Sequence, residues 1–220
     1  ATSATGCVVT ASNAAGSAST APFNVTITQP PTITSGNSLT CLVGTPCSLS
    51  VTATGTPTPT LSLTGALPSG ITFTAGTGAL GGTAAATTGG TYALTIGAAN
   101  GVGSNATQSF TLNVNEAPTA VADTPALVDA NTVVTGAASG ATNLLTNDAR
   151  GFPVATIASY GGGSLGGSVT DHAAGSTTTF GTGGSITVNA NGSYTFTPST
   201  NFTGTFTFQY QLSNAGGTSN

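Results

Sequence analysis

A period of 87 residues is the feature that most constrains the fold of this chain. The segment Ala11–Ile27 reappears as Ala98–Val114 without a gap. The matching positions include three pairs, each 87 residues apart: Asn13 and Asn100, Gly16 and Gly103, Phe23 and Phe110. A fixed repeat of this length indicates tandem domains rather than one large fold.

Short apolar runs alternate with polar residues between glycine turns. Tyr92–Ile96 and Phe110–Val114 are clear examples, because every second residue is aromatic or a large aliphatic. A period of two is typical of strands with one face toward a core and the other toward water. The 32 glycines also fit a disordered chain, but disordered chains lack regular aromatic and β-branched alternation. The sequence therefore predicts a folded all-β protein.

Charged residues are almost absent. The chain has one Lys or Arg and five Asp or Glu, so 3% of its residues are charged. A nucleic-acid-binding protein needs basic side chains that neutralise phosphates, so we exclude that class. No apolar run approaches the roughly 20 residues of a membrane-spanning helix. We therefore expect no membrane span in this segment.

Two proline-containing linkers divide the chain. Gln29–Pro31 and Asn115–Pro118 each follow a strand-like run, and proline cannot donate to a β-ladder. We predict the closing strands of an incomplete domain over residues 1–30 and a complete β-sandwich over residues 31–116. A second sandwich, which lacks its last strand, is predicted over residues 117–220.

The surplus strands at one end and the missing strand at the other allow two accounts. The chain is either a window of a longer repeat array or a subunit whose N-terminal strand completes the sandwich of the next copy. The alternation of Phe23, Val25 and Ile27 suits such strand addition, with the three side chains facing inward. Because a lone hairpin is marginally stable in water, we expect residues 1–29 to become ordered only against another sandwich.

The middle of the chain resembles the immunoglobulin-like repeat of bacterial surface proteins. The motif of that repeat is LPxGLxF, then TGxxxGTP, then YxxxVxAxNxxG. The matching segments are Leu67–Ile71, Gly78–Thr83 and Tyr92–Asn100, with Ala84 in place of the usual proline. The resemblance covers residues 32–114 and implies an immunoglobulin-like β-sandwich in a secreted or surface-displayed bacterial protein.

The C-terminal part of the chain resembles the cadherin-like bacterial immunoglobulin repeat. The segments that carry this resemblance are Ala120–Asp123, Asn143–Asp148, Gly184–Pro198 and Phe202–Tyr210. Together the two resemblances imply an all-β fold of tandem immunoglobulin-like and cadherin-like β-sandwiches. The dipeptide Asn191–Gly192 predicts a hairpin with a type I′ turn, because both positions of this turn need positive φ.

Cadherin-like repeats, by resemblance, hold Ca²⁺ near their linkers and loops. Candidate ligands here are Glu116 and Asp123, which flank the second linker, and Asp148 in a loop. Calcium needs six to eight oxygen ligands, and the chain lacks the repeating DxDxD spacing of dedicated calcium loops. The alternative is that these acids are ordinary solvated side chains. No other cofactor is predicted.

The spacing of Cys41 and Cys47 predicts a disulfide bond. The two residues stand on either side of a Gly44–Pro46 turn, which brings them close enough for disulfide geometry. The alternative is a pair of reduced, buried thiols. Cys7 takes the place of Leu94 in the repeat, so we expect a buried small hydrophobic residue or a pairing with a missing part of its own domain.

The sequence carries no catalytic motif that we recognise. His172 is the only histidine and lies beside Asp171 in a Gly/Ser/Ala-rich stretch that indicates an exposed loop. No GxSxG motif provides an activated serine, and five scattered acids do not predict a pair of glycosidase carboxylates. We therefore predict that the protein is not an enzyme.

Tyr160 precedes a run of glycines without an aromatic companion. The absence of an aromatic cluster there favours a structural role over a binding module.

We expect a structural segment of a bacterial extracellular fibre, stalk or adhesin. Low charge, short linkers and a covalently closed hairpin suit resistance to proteolysis and extension. The expected partners are other copies of the chain or further repeats. The alternative is an adhesion module that binds surface glycans or protein, with or without Ca²⁺, through loops at the end of a sandwich. Extracellular location is inferred from composition and family alone.

Overall fold

The computed structural model describes residues 4–123, 129–136, 143–181 and 184–219. Regular structure in this part of the chain is β-strand, apart from one 3-10 turn at Gly163–Leu165. The prediction of an all-β fold is confirmed. The described residues include no helix that is long and apolar enough to cross a membrane.

The packing of the chain divides it into two compact units. The first unit consists of Ala1–Leu39, Cys47–Gly82 and Tyr92–Leu112. The second unit consists of Thr40–Pro46, Thr83–Thr91 and Asn113–Asn220. Two loops that precede the second linker in sequence therefore pack with the C-terminal residues.

The first four strands pair two by two into a long hairpin, which we call the N-terminal ribbon. Strand β1 (Ala4–Cys7) pairs with β4 (Phe23–Val25), and β2 (Thr10–Asn13) pairs with β3 (Gly16–Ser19). Nearly all of its side chains are exposed. We expected order here only against another sandwich, whereas the two halves of the segment pair with each other, because strands next to each other in sequence satisfy their backbone groups locally.

Nine strands form the sheets of the middle region. They are β5 (Gln29–Ile33), β6 (Ser38–Leu42), β7 (Pro46–Ser50), β8 (Ala53–Thr56), β9 (Thr60–Thr64), β10 (Ile71–Thr74), β11 (Ala79–Thr83), β12 (Gly90–Ala99) and β13 (Ala106–Asn115). One sheet has the order β6-β13-β12-β9, another has the order β10-β11-β7, and β5 pairs with β8. This is the two-layer arrangement of a β-sandwich.

The long strands β12 and β13 supply much of the core of this first sandwich. From the middle of each strand toward its C-terminal end every second residue is buried, as the alternation predicts. These side chains are 0–4% exposed: Leu94, Ile96, Ala98, Phe110, Leu112 and Val114. Apolar residues on the other sheet, such as Ile71 and Leu80, are also buried. Burial of these faces is the main force that holds the sandwich together.

Two glycines of the bacterial motif are required by close backbone approach. At Gly78, with φ of +71°, an added Cβ would collide with the carbonyl oxygen of Val51. At Gly82, with φ of +143°, it would collide with the carbonyl oxygen of Gly70. Only glycine adopts such conformations without strain, so the TGxxxG pattern is explained by packing around β11.

Eight strands form the second sandwich. They are β14 (Val134–Thr135), β15 (Thr156–Gly161), β16 (His172–Ala173), β17 (Thr177–Phe180), β18 (Gly184–Val188), β19 (Tyr194–Thr197), β20 (Gln209–Asn214) and β21 (Gly217–Thr218). The two sheets have the orders β14-β19-β18-β17 and β16-β15-β20-β21. The buried core residues are Leu144, Ala155, Ile157, Tyr160, Ile186, Val188 and Leu212.

The hairpin predicted at Asn191–Gly192 is present, but its turn is not type I′. Strands β18 and β19 pair with Val188 opposite Tyr194, which leaves five residues in the connection. Only the glycine of the dipeptide has positive φ, at +82°. The Oδ1 of the asparagine accepts hydrogen bonds from the N–H (3.1 Å) and Oγ (2.7 Å) of Ser193. These local bonds favour the longer loop.

In the segment Phe202–Tyr210, regular strand begins only at Gln209, the first residue of β20. The Thr207 carbonyl accepts from the N–H of Ser164 (2.8 Å), and the Thr207 N–H donates to the Ser164 Oγ (3.0 Å). The backbone before β20 is thus bonded to the 3-10 turn rather than to a ladder. Residues 202–208 contribute their aromatic side chains to the space between the two sheets.

Candidate functional site

A cavity of about 750 Å³ lies in the second sandwich. Its walls are mostly apolar and aromatic and come from β14, β18, β19, β20 and residues 202–208, and we call it the aromatic groove. The large apolar and aromatic side chains that line it include Val134, Leu144, Ile186, Tyr194, Phe196, Phe206, Phe208 and Tyr210. Three of them (Val134, Leu144 and Ile186) are nearly fully buried, and the five aromatic residues are half-buried. The groove therefore exposes part of the aromatic layer of the domain.

Aromatic rings pack tightly beside the groove. Phe180 stacks on Phe196 with 5.4 Å between ring centroids, and Phe206 lies 4.3 Å from Phe180 and 4.7 Å from Phe196. These residues were not among the sites predicted from the sequence. The signal that points to them is the run of aromatic residues at alternate positions in Tyr194–Phe196 and Phe206–Tyr210, which places them on one face of each segment.

Tyr210 joins the aromatic groove to two of the predicted calcium ligands. Its hydroxyl donates to the Leu144 carbonyl oxygen (2.9 Å) and to Asp148 Oδ2 (3.0 Å). Burial, the charge of Asp123 and the Asp148 contact raise the pKa of Tyr210 well above its ordinary value. The tyrosine therefore stays protonated and donates to the carboxylates.

Asp123 lies close enough to share this network. Burial raises its pKa, a hydrogen bond from Tyr210 opposes that effect, and the charge of Asp148 raises it again. Asp148 also accepts a 2.8 Å bond through Oδ1 from the N–H of Val121. Both acids thus fix the segment before Asp123 against β20, which is a structural role.

Glu116 has a separate set of contacts within the second unit. Its Oε1 and Oε2 accept bonds from the backbone N–H of Thr87 (2.7 Å) and Gly89 (3.1 Å). Its backbone N–H and carbonyl both pair with Phe152, and its carbonyl also accepts from Asn214 Nδ2 (2.8 Å). Charge-assisted bonds to two N–H groups are among the stronger hydrogen bonds. Glu116 therefore anchors several segments to one another.

The three predicted calcium ligands are not assembled as one set. Asp123 and Asp148 meet at Tyr210, while the carboxylate of Glu116 binds backbone amides. Among the described residues, no group of three or more His, Cys, Asp or Glu side chains is placed to hold a metal. Two carboxylates fall short of the six to eight oxygens that calcium takes. Calcium binding stays a prediction.

A disulfide joins Cys41 and Cys47. The sequence suggested the two arms of one hairpin, but Cys41 lies on β6 and Cys47 on β7, which belong to different sheets. The bond therefore links strands of two different sheets. The intervening loop is also held by hydrogen bonds from Val43 N–H to the Asn115 carbonyl (2.9 Å) and from Gly44 N–H to the Ala84 carbonyl (3.0 Å).

Tyr160 and His172 both lie inside the second sandwich, although the sequence placed His172 in an exposed loop. Tyr160 is on β15, is 0% exposed and donates its hydroxyl to the Ser176 carbonyl (2.6 Å). His172 is on β16, half-buried, with its ring 5.4 Å from that of Tyr160. The expectation of an exposed loop at His172 is wrong because its Gly/Ser/Ala-rich stretch includes strand β16. The placement of His172 beside a buried tyrosine fits packing.

The predicted complementation residues are exposed in the N-terminal ribbon. Phe23, Val25 and Ile27 are 43–47% exposed, although their repeat counterparts in β13 are 0–1% exposed. Cys7 is half-buried with a free thiol, while its counterpart Leu94 is buried. The same sequence pattern is thus buried in the first sandwich and open to solvent in the ribbon.

Two protein families match successive parts of the chain. Residues 29–115 match the family described as "Putative Ig domain", and residues 115–220 match the family described as "Bacterial Ig domain". Among curated proteins, none matches the chain. The resemblances predicted from the motifs are confirmed.

Solved structures show the same fold at low identity. A titin I-band fragment, I67–I69, is 16% identical, with a TM-score of 0.55 over 96% of this chain and 70% of that fragment. An E-to-A variant of titin I67–I69 gives 0.56 with the same identity and coverage. A "putative alpha-galactosidase" from Bacteroides fragilis is 22% identical with a TM-score of 0.35, over 39% of this chain and 18% of that one. That last similarity is too weak to support an inference about this chain.

Bacterial immunoglobulin-like domains are typical of surface proteins. The sheet orders, the alternating cores and the motif glycines agree with the two family matches, one following the other along the chain. The chain therefore belongs to the bacterial immunoglobulin-domain families, as a tandem of one Ig domain over residues 29–115 and one Bacterial Ig domain over residues 115–220.

Proposed function

We propose that the chain is a structural, non-catalytic segment of a bacterial extracellular fibre, stalk or adhesin, and that the N-terminal ribbon joins it to another copy. The observation that carries this proposal is the open apolar face of the ribbon. A folded secreted protein rarely leaves such a face uncovered unless it meets a partner. Tandem immunoglobulin-like domains suit an extended load-bearing role.

The repeat shows what this face does when it is covered. The six apolar positions of the ribbon have counterparts in β12 and β13 that are 0–4% exposed. These ribbon residues are Cys7, Val9, Ala11, Phe23, Val25 and Ile27. Their pattern is that of an inner sandwich face, so the complementary partner is another immunoglobulin-like sheet or groove. Neither the ribbon nor the first sandwich offers charged groups that would oppose such contact.

Burial of the three side chains would contribute favourably to self-association. Full burial of a large apolar side chain contributes about 1.5–3 kcal/mol. Since Phe23, Val25 and Ile27 are already about half covered, each has roughly 1 kcal/mol left to gain, or about 3 kcal/mol together. A loss of that size weakens association by roughly 100-fold.

The test is self-association of the whole chain, measured by light scattering over a concentration series. We expect wild-type protein to form oligomers and the triple variant Phe23→Ser, Val25→Ser, Ile27→Ser to stay monomeric. A matched control replaces two exposed valines outside the ribbon, Val133→Ser and Val154→Ser, and should associate like the wild type. Monomeric wild type at all concentrations, or assembly by the triple variant, would count against the proposal.

A second candidate function is a binding module for a glycan or an apolar peptide of a host or neighbouring cell. The observation in its favour is the aromatic groove, whose volume lies within the range of ligand sites and whose floor offers faces for stacking. Calorimetric titration with bacterial and host glycans tests this candidate. Saturable binding that is lost in Phe202→Ala, at the groove's edge, but kept in a variant at the far strand, Thr177→Ala, would favour it.

A further inference from the structure

We propose that the aromatic groove binds an arginine side chain of another protein, carried on an otherwise apolar peptide segment. This inference rests on the second candidate function, in which the groove is a binding site, and it names the chemical class of the ligand. Three properties of the groove support it. Some of its rings keep part of their faces uncovered, its charged residues are acidic, and the chain has no basic side chain to place there.

The rings in and beside the groove differ in how their faces are covered. Phe180 and Phe196 are nearly parallel, with an interplanar angle of 8°, so these two rings cover each other. Tyr194 and Phe208 lie 6.3 Å apart between centroids and are tilted by 59°, so they do not stack face to face. Both line the groove and are half-buried. Their uncovered faces can therefore attract a cation, which needs to lie within about 6 Å of a ring centroid.

The charged residues of the groove are acidic. Among the described residues that line it, only Asp123 and Asp129 carry a formal charge. The Tyr210 hydroxyl donates to Asp123, and it also donates to Asp148 Oδ2 (3.0 Å). Burial, and then the charge of Asp123, raise the pKa of Tyr194, so this carboxylate lies near both tyrosines. The groove therefore has a negative pole beside its aromatic faces.

The sequence holds no spare basic side chain for these carboxylates. Arg150 is the one Lys or Arg of the chain, and its guanidinium donates to the carbonyl oxygen of Ala155 (2.9 Å from Nε and 2.6 Å from Nη2). It is not among the described residues that line the groove. A cation in the groove therefore comes from outside these 220 residues, and a second copy of the chain is not its source.

A neutral ligand suits the groove less well than a cation. Any occupant that covers the rings also removes water from Asp123, and burial of a carboxylate without a counter-charge costs free energy. An arginine offsets this cost, because its planar guanidinium stacks on aromatic faces and pairs with a carboxylate through two N–H groups. The ammonium group of lysine is a compact, strongly hydrated charge. Lysine is therefore the weaker ligand.

The size and lining of the groove suit an arginine on a peptide. The volume of about 750 Å³ lies within the range of ligand sites. Part of the wall consists of the buried apolar side chains of Val134, Leu144 and Ile186, and the exposed Thr203 and Thr205 add polar groups. Apolar residues next to the arginine can pack against this wall. An arginine flanked by apolar residues therefore matches both parts of the groove.

Fluorescence anisotropy of a peptide labelled with an uncharged dye tests the proposal on the full chain. The probe is a blocked peptide in which one arginine is flanked by leucines. Its matched control carries citrulline, which has nearly the same shape without the charge, and a third peptide carries lysine. The variant Asp123→Asn removes the charge and keeps an acceptor oxygen. The control variant Asp171→Asn removes the same charge from a residue that is not among the described lining residues.

We expect saturable binding of the arginine peptide that weakens by about tenfold or more with citrulline or in Asp123→Asn. The lysine peptide should bind less tightly than the arginine peptide, and Asp171→Asn should bind like the wild type. The citrulline control leaves the protein unchanged, so a folding defect cannot produce its result. Equal binding of the arginine and citrulline peptides would overturn this inference while leaving the groove as a binding site.

Three other outcomes would also contradict the proposal. Saturable glycan binding that is lost in Phe202→Ala, with no binding of the arginine peptide, would assign the groove to a neutral ligand. Arginine amide that competes as strongly as the peptide would assign it to a small molecule. Saturable Ca²⁺ binding that displaces the peptide and is lost in Asp123→Asn would assign the carboxylates to a metal. If no peptide and no glycan binds, both this inference and the second candidate function fail.

Discussion

Removal of the Cys41–Cys47 disulfide should destabilise the first sandwich selectively. The bond joins β6 and β7, which belong to different sheets. It therefore restricts how far these two segments separate in the unfolded chain. Closing a loop of this length contributes about 2 kcal/mol on the chain-entropy estimate. Cys41 is 3% exposed, so alanine is a better replacement than serine, because it leaves no unpaired hydroxyl in the core.

The size of the expected shift follows from the size of the domain. For a domain of 60–100 residues, 1 kcal/mol corresponds to about 4–8 °C in Tm. The first sandwich, residues 29–115, falls in this class, so the double variant Cys41→Ala, Cys47→Ala should lower its Tm by about 8–16 °C. The second sandwich contains no cysteine, and its transition should not move.

Differential scanning calorimetry of the full chain measures both transitions. Reducing agent added to the wild type should reproduce the shift of the double variant, and Cys7→Ala should leave both transitions in place. The reasoning fails if both transitions of the double variant stay within about 2 °C of the wild type. That result would mean that the bonds of Val43 and Gly44 already hold the layers together, so that the disulfide adds nothing.

Three further changes test the contacts of the second unit. Glu116→Gln keeps one acceptor, now a neutral amide oxygen, and should cost about 1 kcal/mol, while Glu116→Ala loses both acceptors and should cost about 2–3 kcal/mol in urea unfolding; equal costs would argue against the paired bonds. Tyr210→Phe removes the hydroxyl from Leu144 and Asp148 and should cost about 1–2 kcal/mol, with no loss expected from the exposed control Thr205→Ala. Because the folded pKa of Asp123 lies above its unfolded value of 3.8, the folded state holds the extra proton between the two values and stability falls as pH rises through that window. Thermal melts from about pH 3 to about pH 7 should show a smaller fall for Asp123→Asn than for the wild type or Asp129→Asn, and a steeper fall would refute this.

The fold could be predicted from the sequence because the core residues follow short-range patterns of alternation and glycine spacing. The alternation in Phe110–Val114 identifies the buried face of β13, and the TGxxxG glycines identify places where the backbone leaves no room for a Cβ. The 87-residue period identifies the ribbon as a copy of β12 and β13. Each of these patterns is local or periodic, so it can be recognised without knowing which distant residues are in contact.

The candidate site was harder to predict because it depends on which segments meet in space. Phe180 and Phe206 are 26 positions apart in sequence, yet their rings lie 4.3 Å apart. Nothing in the sequence showed that Glu116 would bind the amides of Thr87 and Gly89 rather than join Asp123 and Asp148. His172 was misplaced for a related reason, since a glycine-rich stretch indicates a loop in sequence but also permits close packing inside a sheet.

Electron cryo-microscopy of the assembled protein tests the central claim most directly. The account predicts a continuous row of immunoglobulin-like domains in which the apolar side chains of residues 23–27 of one copy are covered by an immunoglobulin-like sheet of the next. In the triple variant Phe23→Ser, Val25→Ser, Ile27→Ser, such rows should be absent while both sandwiches still fold. Rows in which the N-terminal ribbon remains paired with itself and projects into solvent would contradict the account.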